Sequence, residues 1–425
     1  MTDPAPDSHA HPHHGHDHGD AAAMRPVEEH AAAVAALLTA TDAESCPVGE
    51  ALGRILAADV VSPTALPPFT NSAMDGYAVR AADVADTPVT LPVAADVPAG
   101  RTDGPPLEAG TAHRIMTGAP LPAGADAVVQ VEWTDAGTGR VRVDRGVGAG
   151  QNTRHAGEDV GAGDLVLPAG TLLGPAQVGL AAAVGAGTLS VRRRPRVLVL
   201  STGSELVAPG EPLEHGQIHE SNGPMLAAAV VDAGGEARLL RFVPDDVDAF
   251  VATLDGALAE EPADLVLTSG GVSAGAYEVV KDAFSGADRS GGGVEFVKVA
   301  MQPGMPQGCG RHGTVPVVTL PGNPVSSLVS FEVFVRPALR AAAGQPHPAR
   351  ARVRARLTEA LRSPAGRRQF RRGRLDAVAG TVTPVGAPGS HLLAALARAD
   401  CLLVVGEDVT EVPAGADVEV WLLEV

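Results

Sequence analysis

Hydrophobic positions follow three different rhythms along this chain. From Met24 to about Leu189 a helical pattern, RPVEEHAAAVAALL, gives way to short apolar runs separated by turns such as Pro98-Ala99-Gly100, Pro122-Ala123-Gly124 and Pro168-Ala169-Gly170. The turns recur at irregular spacing, which marks them as turn chemistry rather than a solenoid repeat. From Arg196 the apolar runs VLVL, RLLRFV, DLVL, VEFVKV and VPVVTL alternate with apolar or amphipathic helical stretches, among them MLAAAVVDA closed by Gly234-Gly235. Strands alternating with helices predict a mostly parallel α/β sheet covered on both faces, with ligands at the carboxyl ends of its strands. After about Gly344 the rhythm changes again, and RARVRARL alternates at period 2 like a half-exposed strand of a small β-barrel.

Three of the α/β strands run into small, polar, glycine-rich loops. Ser201-Thr202-Gly203-Ser204-Glu205 follows VLVL, Ser269-Gly270-Gly271-Val272-Ser273 follows DLVL, and Pro321-Gly322-Asn323-Pro324 follows VVTL. In the last, Asn323 suits an N-cap and Pro324 the first helical turn, so the strand stops to present backbone N–H groups at a helix N-terminus. Three such loops on one sheet edge make a cradle for phosphate-like anions. Glu205, Asp245, Asp246 and Glu278 fall at or near the same edge, and they suit a hard cation such as Mg2+ bridging protein and phosphate oxygens. Each of these carboxylates could equally be a helix cap or a surface group.

Composition narrows the partners. The formal charge is -18 and lysine occurs only as Lys281 and Lys298, which argues against broad binding to nucleic acid or anionic membrane. An anionic ligand therefore needs a metal ion or local arginine. Ten arginines fall between Arg350 and Arg374, but with Phe370 as the lone interleaved aromatic they are expected to be a solvated strand face. Cys46, Cys309 and Cys401 form no CxxC pair, so neither a zinc site nor a disulfide framework is expected, and a reducing cytoplasm fits. No signal peptide is visible. The uncharged run Leu165–Val191 is broken by Pro168, Gly170, Gly174 and Pro175, and reads as a strand and a short Ala-rich helix rather than a membrane span. The first 23 residues carry His9, His11, His13, His14, His16 and His18 in a polar tract that reads as a disordered extension or a metal-binding tail, with Met24 a second candidate start.

Rival motifs fail. Neither lysine stands in a Walker A setting and HExxH is absent. Gly271-Val272-Ser273-Ala274-Gly275 spells GxSxG, but Ser273 lies five residues beyond Thr268, too far for a nucleophile elbow at the strand end.

Seven segments, in order, carry a specific resemblance: PPFTNSAMDGYAV from Pro67, RIMTGAPLPAGADAVV from Arg114, RHAGEDV from Arg154, VLSTGSEL from Val199, TSGGVSAG from Thr268, LPGNPVSS from Leu320 and GSHLLAALARADCLLVV from Gly389. Together they resemble the MoeA family of molybdopterin molybdenumtransferases, related to the E domain of animal gephyrin, over roughly Met24 to Val425. The resemblance implies an elongated domain from residues 24–64 and 154–189, an inserted β-rich domain at 65–153, a MoaB/MogA-like α/β molybdopterin-binding domain at 190–345 and a C-terminal β-barrel at 346–425. It implies insertion of molybdate into adenylylated molybdopterin with release of AMP and a requirement for Mg2+. The implied protein is a homodimer with its site between subunits, served by an upstream adenylyltransferase and serving apo-molybdoenzymes.

By match to the family's motifs, Asp75, Thr117, Asp159, Glu205 and Lys298 would be catalytic. Thr202, Gly203, Ser269, Gly270, Gly271, Ser273, Pro321, Gly322, Asn323, Pro324 and Ser326 would bind substrate, and Glu205, Asp245, Asp246 and Glu278 would hold the metal. The chain departs from the family pattern at Thr70, Ser204 and Glu278, where Asp is frequent, and at Gln302 and Met305, where Lys is frequent. Loss of two cations should weaken a direct oxyanion contact, and Arg154 and Lys298 are the candidates to compensate. A non-catalytic pterin-binding scaffold and an adenylyltransferase are the competing readings.

Overall fold

A computed structural model describes residues 24–100, 104–203, 205–243, 246–270, 279–285 and 293–423. The chain divides into two compact units. Ala40–Arg194 with Ala341–Pro346 form one; the described residues before Ala40, with Pro195–Arg340 and His347–Val425, form the other.

In the first unit, five strands lie in the order Ala127–Gln130, Gly76–Val79, Ala112–Ile115, Val89–Val97, Arg140–Val143. Both faces are covered. Tyr77, Val79, Val129, Val141 and Val143 pack on one side, and Ala78, Val97, Ile115 and Val128 on the other, as the period-2 alternation of a strand requires. The same unit joins distant stretches of sequence: Ala43–Pro47 pairs antiparallel with Thr188–Arg192, and Val60–Val61 with Leu165–Leu167. The run from Leu165 resolves into a three-residue strand and the helix Pro175–Ala183, and no helix among the described residues is long and apolar enough to cross a membrane.

In the second unit, six strands lie in the order Glu236–Val243, Arg196–Thr202, Leu265–Ser269, Val315–Leu320, Pro306–His312, Val294–Lys298. The first four are parallel, and Pro306–His312 runs antiparallel to both of its neighbours. Val197, Val199, Leu265, Leu267 and Val318 face one hydrophobic layer, and Leu198, Leu200, Val266 and Val317 face the other. Burial on both faces explains why these strands read as continuous apolar runs, and each fully buried Val or Leu contributes roughly 1.5–3 kcal/mol. After Arg196–Thr202 the chain moves to the edge strand Glu236–Val243, and after Leu265–Ser269 it moves the opposite way, so the order reverses between these two central strands. That is the place where a doubly wound sheet opens a crevice at its carboxyl ends.

The C-terminal stretch closes a five-stranded ring of Arg352–Leu357, Thr381–Pro384, Arg368–Asp376, Cys401–Val405 and Asp417–Leu422. Arg354 and Arg356 are exposed and alternate with buried Ala355 and Leu357, as predicted, although Val353 before them is exposed too. Arg371 and Arg372 do not: they are buried, and the expectation of a wholly solvated arginine face is corrected at these two positions.

Candidate functional site

The carboxyl-end loops of the three central parallel strands meet. Ser201 pairs with Ser269 and Ser269 with Leu320, so Thr202, Gly270 and Pro321 stand at one level. The Gly270 N–H donates to the Leu320 carbonyl at 3.1 Å, and Gly270 adopts φ +101°, a conformation open to glycine. A methyl group placed on Gly322 would lie 3.4 Å from the Gly270 Cα, which puts these two loops in backbone contact. Thr202 is half-buried, Ser269 and Pro321 are buried, and Gly322 and Asn323 are exposed at the mouth.

The helix that follows runs Pro324–Ser330, continues through a π turn at Phe331–Val335 and ends as Arg336–Ala342. Asn323 occupies its N-cap position, but the side chain makes no capping bond; its carbonyl accepts the Ser327 N–H at 2.9 Å. The Val325 N–H donates to the Ser390 carbonyl at 3.1 Å, because the 389–391 loop of the barrel lies over this end of the helix. The helix terminus expected to be open to an anion is thus partly satisfied by protein. Ser326, in the first turn of this helix, is buried at 4% exposure.

Carboxylates flank the cradle. Glu205 is exposed, its side chain folds back over Gly203 and its carbonyl accepts the Ile218 N–H at 3.0 Å. Asp246 caps the helix Val247–Glu260, with Oδ1 accepting the Ala249 N–H at 2.8 Å, so the capping alternative applies to this carboxylate and one oxygen is committed. Asp245, Gly271, Ser273 and Glu278 lie outside the described residues, as do Ser204 and the histidine-rich tract. Among the described residues no three His, Cys, Asp or Glu side chains converge on a metal position. Glu205 and the uncommitted oxygen of Asp246 are donors of the kind Mg2+ takes, an ion that binds through one or two carboxylates and completes its shell with water and phosphate oxygens.

Lys298 ends the strand Val294–Lys298, which is exposed at that point. Phe296 pairs with Gly308 and Gly308 with Thr319, so Lys298 stands level with Pro321 on the same sheet edge, two strands away. Two strand spacings are roughly 10 Å. Gln302 turns toward the barrel, its Oε1 accepting the Gln369 Nε2–H at 3.0 Å. Arg371 and Arg372 lie on the same barrel strand as Gln369. Arg372 donates to the carbonyls of Val385, Ala387 and Gly389, and Arg371 to that of Gly386. Among the described residues these two cations have carbonyl partners and no carboxylate. Burial pushes both guanidiniums below their ordinary pKa, and at Arg372 the Arg371 charge adds to this.

In the other unit, Asp75 and Thr117 are brought together. The Thr117 N–H and hydroxyl both donate to Asp75 Oδ1, at 2.6 and 2.9 Å. The backbone donor first, then the hydroxyl, holds this carboxyl below its ordinary pKa. Asp75 is exposed, and its position follows from Gly76, where a methyl group would stand 2.0 Å from the Val129 carbonyl oxygen. The strand pair Asn71–Ser72 with Thr153–Arg154 draws the RHAGEDV segment alongside. Asp159 is exposed and its N–H donates to the Leu66 carbonyl at 3.0 Å, while Thr70 Oγ1 accepts the Ala156 N–H at 3.3 Å. Thr70 therefore serves as a backbone anchor. Arg154 is exposed beside Asn71.

Sequence reading missed Arg371 and Arg372 as buried cations, and it missed Glu220 and Asn222. Asn222 Nδ2 donates to Ser269 Oγ at 2.8 Å and to the Gly322 carbonyl at 2.6 Å. Its only signal in the sequence is a polar residue just before MLAAAVVDA, which reads as an ordinary helix start.

The fold and these loops define a multidomain protein built around a doubly wound α/β domain with a loop-lined crevice at its strand ends. Residues 25–185 match the MoeA N-terminal region (domain I and II), 198–341 the "Probable molybdopterin binding domain" and 354–423 the MoeA C-terminal region (domain IV). Molybdopterin molybdenumtransferase 2 of Mycobacterium tuberculosis is 56% identical over 404 residues, covering 94% of this chain and 99% of its own. Molybdopterin molybdenumtransferase of Haemophilus influenzae is 37% identical over 392 residues, covering 89% and 94%. Two crystal structures of the molybdopterin biosynthesis MoeA protein from Pyrococcus horikoshii, 34% and 31% identical, superpose with TM-scores of 0.80 and 0.77 and cover 95% and 94% of this chain and 100% of their own. The chain belongs to the MoeA family.

Proposed function

We propose that this chain is a Mg2+-dependent molybdopterin molybdenumtransferase. It takes molybdate and adenylylated molybdopterin as substrates: a water oxygen adds to phosphorus as the pyrophosphate link breaks and AMP leaves, and the dithiolene sulfurs replace two molybdate oxygens, which take up protons and leave as water. The observation that carries this reading is the meeting of Thr202-Gly203, Ser269-Gly270 and Pro321-Gly322 at the reversal point of the α/β sheet. Small loops with backbone donors and hydroxyls let a phosphate and a flat heterocycle approach the main chain closely.

Cleavage of a phosphoanhydride depends on positioning and charge neutralisation more than on a strong nucleophile. Glu205 and Asp246, with Asp245 and Glu278, would hold Mg2+, which supplies neutralising charge on the phosphate oxygens. The hydroxyls of Thr202 and Ser269 orient the pterin phosphate. Lys298, exposed on the same sheet edge, would offer positive charge to molybdate where Gln302 and Met305 do not. Asp75, held below its ordinary pKa by Thr117, and Asp159 would complete the catalytic set of a cytoplasmic homodimer that works between an adenylyltransferase and apo-molybdoenzymes.

The decisive measurement is AMP release from purified adenylylated molybdopterin on adding the protein, Mg2+ and low molybdate, with active cofactor assayed in parallel. AMP together with active cofactor supports the reading. Pterin bound without AMP makes the protein a scaffold, and ATP consumed with molybdopterin makes it an adenylyltransferase.

A further inference from the structure

A polar chain, buried at Glu220 and half-buried at Asn222, links the three loops. Glu220 is 2% exposed; its Oε1 accepts the Ser201 hydroxyl at 2.9 Å and the Gly223 N–H at 2.6 Å, and its Oε2 is buried with no hydrogen-bond partner. A carboxylate in such a place costs free energy, offset in part by its position at the N-terminal end of the eleven-residue helix Asn222–Asp232. What it accomplishes is local. It joins the end of the strand Arg196–Thr202 to the first turn of that helix, and so fixes where Asn222 stands.

From that position the Asn222 amide spans the other two loops, donating to Ser269 Oγ and to the Gly322 carbonyl. Ser327 Oγ, in the helix after Pro324, reaches Ser269 Oγ at 3.4 Å and extends the chain to that helix. The three strand ends are therefore connected through two groups, the Glu220 carboxylate at Ser201 and the Asn222 amide at Ser269 and Gly322. Strand pairing already brings these two ends together, with the Gly270 N–H on the Leu320 carbonyl at 3.1 Å, and the Asn222 amide adds a side-chain tie one step beyond it, at Gly322.

We infer that Asn222 is a positioning residue for the transferase: by holding the Ser269–Gly270 loop and the Gly322 loop at fixed separation, it keeps the cradle at the spacing the adenylylated pterin needs, with Glu220 as its buried anchor. The inference rests on the function proposed above. Misplacement of a substrate by about 1 Å can cost a hundredfold in rate, so a tie of this kind should act on turnover more than on folding.

The test compares Asn222→Ala, Asn222→Asp and Glu220→Gln with the parent in two arms. In amide hydrogen exchange, Asn222→Ala is expected to speed exchange of the Gly270 N–H about tenfold with the melting temperature held within a few degrees. In AMP release, kcat is expected to fall about tenfold or more with KM for adenylylated molybdopterin within threefold. Asn222→Asp, of equal size but with no donor for the Gly322 carbonyl, should do at least as much damage. Glu220→Gln keeps an acceptor for both of its donors and should stay within threefold of the parent. Unchanged exchange at Gly270 in Asn222→Ala overturns the tie. Faster exchange with parental kcat overturns its role in positioning. A parent protein that releases no AMP sinks the proposed function instead, while the exchange arm still judges the tie.

Discussion

Asp75 and Glu205 are both exposed carboxylates beside a glycine at a strand end, yet the protein holds them in opposite ways. Asp75 is locked by two donors from one residue, Thr117, across an antiparallel sheet whose backbone leaves no room at Gly76. Glu205 rests over Gly203 at the end of a parallel strand, and the loops around it come from residues far apart in sequence. An antiparallel sheet can fix a functional group with neighbouring main chain. A parallel sheet must gather its loops from successive crossovers and then needs side chains such as Asn222 to hold them together.

The largest test of this contrast is Gly76→Ala. With a Cβ 2.0 Å from the Val129 carbonyl oxygen, the sheet cannot close, and we expect a loss of roughly 3 kcal/mol in denaturant unfolding together with loss of AMP release. Unfolding curves that superpose on the parent's would show that Asp75 is not held by sheet closure. Next, Glu205→Ala should leave the melting temperature unchanged and lower AMP release roughly a hundredfold, as expected for a group that acts on charge and not on packing. A parental rate would remove Glu205 from the catalytic set. Lys298→Met tests the exposed cation at the sheet edge: the KM for molybdate should rise about tenfold with pterin affinity within twofold, and equal shifts in both would mean that the lysine makes no separate contact with the oxyanion.

The smallest effect is expected at Thr117→Val. This variant removes the hydroxyl but keeps the backbone N–H, so the Asp75 carboxyl should titrate partway back toward its ordinary value, read by carboxyl NMR, with turnover changed only a few-fold. The sign follows from the direction of the shift. A depressed carboxyl contributes stability above its ordinary pKa and loses it as pH falls through the depressed one, so the variant should lose that contribution at a higher pH than the parent. A titration identical to the parent's would leave the backbone N–H as the sole influence on Asp75.

Much of this was legible in the residues. Continuous apolar strands ending in Gly and Ser announced a buried parallel sheet with its loops on one edge, because burial on both faces and tight turns are local demands that each segment must meet by itself. Thr70 and Gln302 were visible as departures, and the structure gives each an occupation, at the Ala156 N–H and at Gln369.

Burial and partnership across long separations were not legible. Arg354 and Arg372 look alike in a run of ten arginines, yet closing the barrel turns one to solvent and encloses the other. Asn323 spells a helix cap, but a loop more than sixty residues later supplies the carbonyl that meets the Val325 N–H. Asn222 reads as a helix start and becomes the tie between two loops 47 and 100 residues away. The elements, their order and the chemical character of the loops follow from periodicity and turn preference, which each segment carries within itself. Which donors remain open and which polar groups lose their water depends on what another part of the chain brings to the same place, and that is settled by packing.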